Sequence, residues 1–295
     1  MKNVKAKTNE QIAMQVSANS IAVNLMLSIF KLIAGLMASS GAMISDAIHS
    51  ASDVFSTIIV IIGVKISGKA SDEDHPYGHD RFECVASIIL AILLGVTGVG
   101  IGLTGVQKLT AGHHDTLAVP GVLALAAAVI SIVVKEIMYW YTRNAAKKIN
   151  SGALMADAWH HRSDALSSVG SFVGILGARM GFPMLDPLAS VVICLFVVKA
   201  AVDIFRDAIS KMTDKSCNQE TVNEMHDCIM NIQGVEGIDL LKTRSFGSKY
   251  YVDIEIKADG DKKLWEAHAI AENVHHVIEQ QFPLVKHCMV HVNPA

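Results

Sequence analysis

Charge is scarce in this sequence. Asp, Glu, Lys and Arg make up 18% of its 295 residues, against roughly 25% in an ordinary soluble domain. Mean hydropathy is +0.38, and hydrophobic residues reach 51%. That balance excludes disordered and collagen-like chains and describes a polytopic membrane protein. Positive charge is not in excess either: the net charge is −3 and the pI about 6.5, so no basic footprint points to nucleic acid. Cysteines are few and odd in number: Cys84, Cys194, Cys217, Cys228 and Cys288, with no C-x-x-C pair. This excludes a secreted disulfide scaffold, argues against a zinc ribbon and fits a reducing cytoplasmic face.

What is present is long apolar runs. A helix crosses the hydrocarbon core with about 20 mostly apolar residues. Six windows qualify, at about 12–37, 42–66, 84–107, 116–141, 153–180 and 186–206. The third carries no charge from Val85 to Gln107, and the fourth is apolar until Lys135 and Glu136. Polar residues interrupt the fifth and sixth. The charged segment Met1–Gln11 does not read as a cleavable signal. Lysines and arginines collect on one side: Lys2, Lys5 and Lys7; Lys65, Lys69 and Arg81; Arg143, Lys147 and Lys148; Arg206, Lys211 and Lys215. The positive-inside rule then places both termini in the cytoplasm.

A membrane domain at 1–212 is expected to give way to a soluble domain at 213–295. The tail reads α-β-β-α-β: helix 218–231, strand 235–244, strand 249–258, helix 264–281 and strand 287–292. In the second strand Tyr250, Val252, Ile254 and Ile256 alternate with Tyr251, Asp253 and Glu255. A small sheet covered by two helices follows, near the lower size limit for independent folding.

Ionisable groups at mid-membrane cost at least about 2.5–3.5 kcal/mol each on insertion scales, so they require partners. His49 and Asp53 stand four residues apart in the second span, and His160 and Asp164 do so in the fifth. Each pair shares a helix face. Two such faces supply two imidazoles and two carboxylates, a set suited to a tetrahedral divalent metal and above all Zn²⁺. The competing reading is a pair of intrahelical His–Asp hydrogen bonds, or helix ends lying in the interface. Asp46 and Asp157, a turn or less before these pairs, read as support for the ligands rather than ligands. His161 and Arg162 fall on other faces, and His161 reads as interfacial. Between the second and third spans, Asp72, His75 and His79 surround a Pro76-Tyr77-Gly78 turn and could hold one metal. The other reading is a solvated polar loop. In the tail, Asp239, Glu255, His268 and His291 are scattered enough to be ordinary surface residues.

Taken together, Ser45–Asp53, Asp74-His75-Pro76-Tyr77-Gly78-His79, Ala156–Asp164 and Leu185-Asp186-Pro187 resemble the cation diffusion facilitators over nearly the whole chain. These are dimeric transporters that move divalent transition metals out of the cytoplasm. The resemblance implies six transmembrane helices followed by a ferredoxin-like (metallochaperone-like) α+β cytoplasmic domain, metal/proton antiport, and a homodimer. It places the transport site at His49, Asp53, His160 and Asp164, and a loop site at Asp72, His75 and His79. In the tail, His268 and His291 fall on ligand positions. Asp239 and Glu255 stand where the best-known zinc members carry histidines, and Asn293 replaces an aspartate. Other members use the equivalents of Tyr251, Asp253 and His268. Arg81 and Asp214 match a family ion pair joining the two domains. The short tail and short fourth connection suit a bacterial member, hence an inner membrane.

The mechanism expected from this resemblance is alternating access. Histidine, with a reference pKa of about 6.5, is the natural group for protons to claim as metal leaves. The donor set favours Zn²⁺ and accepts Fe²⁺, Co²⁺ and Cd²⁺. Two histidines lower Mn²⁺, and the lack of a Cys or Met pair disfavours copper(I). The rivals are a membrane-embedded metalloenzyme, disfavoured by the absence of H-E-x-x-H, and a non-transporting sensor or scaffold.

Overall fold

The computed structural model describes residues 8–37, 41–111, 122–179 and 185–295. Six long helices come first: α1 (Asn9–Met37), α2 (Gly41–Ser67), α3 (Phe82–Ala111), α4 (Val122–Ile149), α5 (Gly152–Arg179) and α6 (Leu185–Met212). The start of the fourth expected span, about 116–121, and the last residue of the fifth lie outside the described residues.

Local chemistry sets several helix ends. Thr8 accepts from the Gln11 N–H at 3.2 Å while the Gln11 side chain accepts from the Thr8 N–H at 3.1 Å, a reciprocal cap that starts α1. Between α4 and α5 only Asn150 and Ser151 intervene. Asn150 takes φ 55°, and the Ser151 N–H donates to Ala146 O at 2.9 Å, closing α4. Ser151 Oγ accepts from the Leu154 N–H and opens α5. So short a turn forces α4 and α5 into an antiparallel hairpin.

Small residues let the helices approach closely. A Cβ on Gly63 of α2 would lie 2.4 Å from the Ala86 Cβ of α3. Along α3, a Cβ on Gly98, Gly102 or Gly105 would meet Val197, Cys194 or Ser190 of α6 at 2.8, 2.5 and 2.9 Å. The apolar interior is built from Val60, Leu90, Leu94, Leu154 and Val197. The outer surface is apolar as well: Met26, Ile29 and Ile33 on α1, and Leu93, Val96 and Leu103 on α3, are exposed. Among the described residues, two stretches are long and apolar enough to cross a membrane, Asn9–Ala34 and Phe82–Gln107. In α5 the polar side chains of Asp157, His160, His161, Arg162 and Asp164 interrupt the apolar run.

The chain divides into two compact units, Met1–Ala208 and Ile209–Ala295. The second holds α7 (Gln219–Met230), β1 (Gly237–Phe246), β2 (Lys249–Ala258), α8 (Leu264–Gln281) and β3 (Val285–Pro294), the α-β-β-α-β order expected. Asn218 caps α7 through its side chain. β2 is central, antiparallel to β1 and parallel to β3. The alternation of β2 sends Val252, Ile254 and Ile256 into a core with Met225 and Ile229 of α7 and Val274 and Ile278 of α8. Tyr251, read from the alternation as part of a polar face, is on the side of β2 opposite these three and is itself buried. Its ring packs against Phe246 at 5.1 Å and lies under Arg244.

Candidate metal-transport site

Three of the four residues read as the transport quartet have described side chains, and these three meet. Asp53 of α2 and His160 and Asp164 of α5 place one ligand atom each within 4.8 Å of one another. His160 Nε2 is 3.3 Å from Asp53 Oδ1. Asp53 is 3% exposed, so the charge sits in a low-dielectric interior and demands compensation. The side chains of His49 and Asp46 lie outside what the structure describes; both residues are on α2, His49 one turn before Asp53.

The compensation comes from a residue the sequence reading passed over. Lys135, where the apolar run of the fourth expected span ends, is not at a helix end. It stands in the middle of α4, 2% exposed, and its ammonium donates to Asp53 Oδ2 at 2.6 Å and to Asp164 Oδ2 at 2.9 Å. Hydropathy marks a lysine only as an end of an apolar run, and so it gave this one no role. The hairpin gives the missing signal. Counting back from Asn150–Ser151 at ~1.5 Å rise per residue, the α4 position level with Asp164 is about 137. A lysine two residues away reaches that level easily.

Asp157, read as supporting a histidine ligand, is fully buried and accepts a hydrogen bond from Thr57 Oγ1 of α2 at 3.2 Å. It thus fastens α5 to α2 one turn from the cluster. His161, read as interfacial, is fully buried, its Nε2 3.6 Å from Asp157 Oδ2. Arg162 packs over the Tyr139 ring at 4.4 Å, close to Trp140 and Trp159.

The loop residues also converge: Asp72, His75 and His79 form a second cluster within 4.8 Å. The His75 N–H donates to Asp72 Oδ1 at 2.7 Å and holds that carboxyl below the usual carboxylate range. His79 Nδ1 faces the Ala70 carbonyl at 3.2 Å, which can only accept; Nε2 is left toward Asp72 Oδ2 at 3.3 Å. That donor set fits a divalent ion. The turn depends on Gly78, whose φ of 91° few L-residues adopt.

The tail residues behave differently. Asp239 pairs with Lys257 at 2.9 Å, and the Asn293 amide donates to Asp239 and to Glu255. Lys257 first, then Asn293, hold the Asp239 carboxyl below its ordinary range. His291 is paired in register with Glu255, and Asp253 with Met289. His268 is on the exposed side of α8, 3.8 Å from Glu272. Among the described residues Asp239, Asp253, Glu255, His268 and His291 do not come together as one three-ligand group. Arg81 and Asp214 belong to different units.

A buried cluster of two carboxylates, an imidazole and a counter-cation inside an apolar-surfaced helix bundle fits a membrane protein that handles cations. Residues 17–213 match the cation efflux transmembrane domain family, and residues 217–295 match the cation efflux protein cytoplasmic domain. The Bacillus subtilis manganese efflux system protein MneP is 33% identical, with 98% of each chain covered. An uncharacterized transporter of Methanocaldococcus jannaschii is 37% identical over 93% of this chain and 95% of that one. Metal tolerance protein C1 of Arabidopsis thaliana is 33% identical over 91% of this chain, which spans 60% of that longer protein. The chain therefore belongs to the cation efflux (cation diffusion facilitator) family of membrane transporters, and it is not an enzyme.

Proposed function

We propose that this protein exports a divalent transition-metal ion from the cytoplasm in exchange for protons, by alternating access. It acts as a homodimer in a cell (inner) membrane, with six spans and both termini cytoplasmic. The cargo binds at His49, Asp53, His160 and Asp164. The observation that carries this reading is the convergence of Asp53, His160 and Asp164 from two helices. As metal leaves, protons take its place on imidazole nitrogen, which couples the two fluxes. Lys135 balances the carboxylates between loads and withdraws when a dication arrives. Asp72, His75 and His79 form a loop site for the same class of ion. Asp239, Tyr251, Asp253, Glu255, His268 and His291 offer further donors on the tail.

Donor chemistry favours Zn²⁺, with Fe²⁺, Co²⁺ and Cd²⁺ next. A second reading, Mn²⁺, is favoured by the relative MneP, whose name states manganese efflux. Metal uptake into proteoliposomes under an imposed pH gradient tests both readings, with each ion supplied in turn. One metal should move with the gradient, and Asp53→Ala should abolish that flux at normal expression. Wild-type flux in the variant would sink the site assignment; flux independent of the gradient would remove the proton coupling.

A further inference from the structure

A third cluster of metal-binding side chains stands in the tail, apart from all the residues assigned above. His275 and Glu279 are one turn apart on α8, and His287 lies at the start of β3. Their ligand atoms fall within 4.8 Å of one another. Glu279 Oε1 is the shared corner, 3.4 Å from His275 Nε2 and 3.7 Å from His287 Nδ1. Bonds of about 2.0–2.1 Å to a tetrahedral ion separate its ligands by about 3.3–3.4 Å. The two measured edges are within a few tenths of an ångström of that spacing.

The surroundings orient the donors. His275 Nδ1 lies 2.7 Å from the Cys288 carbonyl, which can only accept. Nδ1 therefore carries the proton, and Nε2 turns toward Glu279. A backbone carbonyl behind the distal nitrogen is how metal-binding histidines are commonly held. Glu279 is anchored in turn, accepting from the Cys288 N–H at 3.2 Å. Buried Val274 and Ile278, each one position earlier on α8, fix the helix against the sheet. The same helix supplies a contrast. His268 and His276 approach Glu272 at 3.8 and 3.9 Å from either side along α8, yet do not form a compact three-donor group.

We propose that His275 Nε2, a Glu279 carboxylate oxygen and His287 Nδ1 form a divalent transition-metal site on the tail, distinct from the transport and loop sites. Two imidazoles and one carboxylate leave the remaining positions open to water or to a further ligand. A metal there clamps the C-terminal half of α8 to the first residues of β3.

The test uses the purified full-length protein in detergent, in an Asp53→Ala background so that transport-site binding does not enter the readout. Zn²⁺ stoichiometry and the visible absorption of bound Co²⁺ are measured. His275→Gln with His287→Gln should bind one ion per protomer fewer, weaken the Co²⁺ bands and lose part of the Zn²⁺-induced rise in melting temperature. His276→Gln should change none of these. Unchanged stoichiometry and spectrum in the double variant overturn the proposal. If the double variant does not fold, Glu279→Gln decides: it keeps an oxygen toward Cys288 and removes the charge. The same losses are expected from it, and full retention of the ion overturns the site.

Discussion

The helical unit and the tail bury opposite things. The helical unit hides Lys31, Asp53, Lys135, Asp157 and His161 and turns Ile29, Leu93 and Leu103 outward. The tail hides Val252, Ile256, Val274 and Ile278 and turns His268, Glu272 and His276 outward. The difference follows from the solvent. Against lipid, apolar side chains lose nothing by pointing out, so packing by small residues and polar contacts must hold the helices together. Against water, burial of apolar area does that work. In the first unit the polar interior is therefore the glue, and it holds the Asp53, His160 and Asp164 cluster; in the second, the apolar core and the clustered polar side chains are separate.

The largest effect expected from this contrast is at Lys135. Lys135→Met leaves Asp53 and Asp164 buried without their cation, and breaking such a pair costs about 3–5 kcal/mol. Melting of the purified variant should fall sharply and be restored by added metal more than in the wild type, whereas Lys135→Arg should stay close to wild type. Equal stabilisation by metal in both would show that the lysine does not share the metal's place. Next comes a matched pair of truncations. Ile278→Ala in the tail core should cost about 2–5 kcal/mol. Leu103→Ala on the outer face of α3, 57% exposed, should leave the melting temperature in lipid nearly unchanged. A large loss for Leu103→Ala would place that face in a protein contact. Gly78→Ala forces an L-residue into left-handed backbone, at about 1–2 kcal/mol, and should weaken metal binding by the loop without touching the tail. The smallest is chemical. Burial, then the nearby Glu279 and Asp253 charges, push the Cys288 thiol up to about 12. The folded tail keeps that proton when an unfolded chain loses it, so tail stability should fall as pH rises from about 9 toward 12. Maleimide labelling of Cys288 at pH 8 should require denaturant.

Much of this was legible in the residues. Four-residue spacing put each His–Asp pair on one helix face, the need of buried charges for partners suggested joining the two faces, and the Pro76-Tyr77-Gly78 turn brought Asp72, His75 and His79 near one another in the sequence. The tail's order of elements followed from period-2 and period-3.6 patterns. The failures share a cause: hydropathy averages over a window and is blind to pairing. It treated Lys135 as a boundary because it could not see two carboxylates on other helices. It left His161 at the interface because Asp157, its buried neighbour, was read as supporting a ligand pair and not as a partner for His161. The His275, Glu279 and His287 group escaped for a different reason. Its third member comes from a strand, and only the docking of α8 on β3 brings the three together.

The two-residue turn at Asn150–Ser151 has a mechanical consequence. It leaves no slack between α4 and α5, so the two helices form a single stiff arm, and Lys135 and Asp164 ride on it at fixed separation. Asp53 rides on a different helix. On the alternating-access reading proposed above, opening the site would part α2 from that arm, breaking the Lys135–Asp53 contact while sparing Lys135–Asp164. The lysine would travel with one carboxylate like a key left in its own half of the lock.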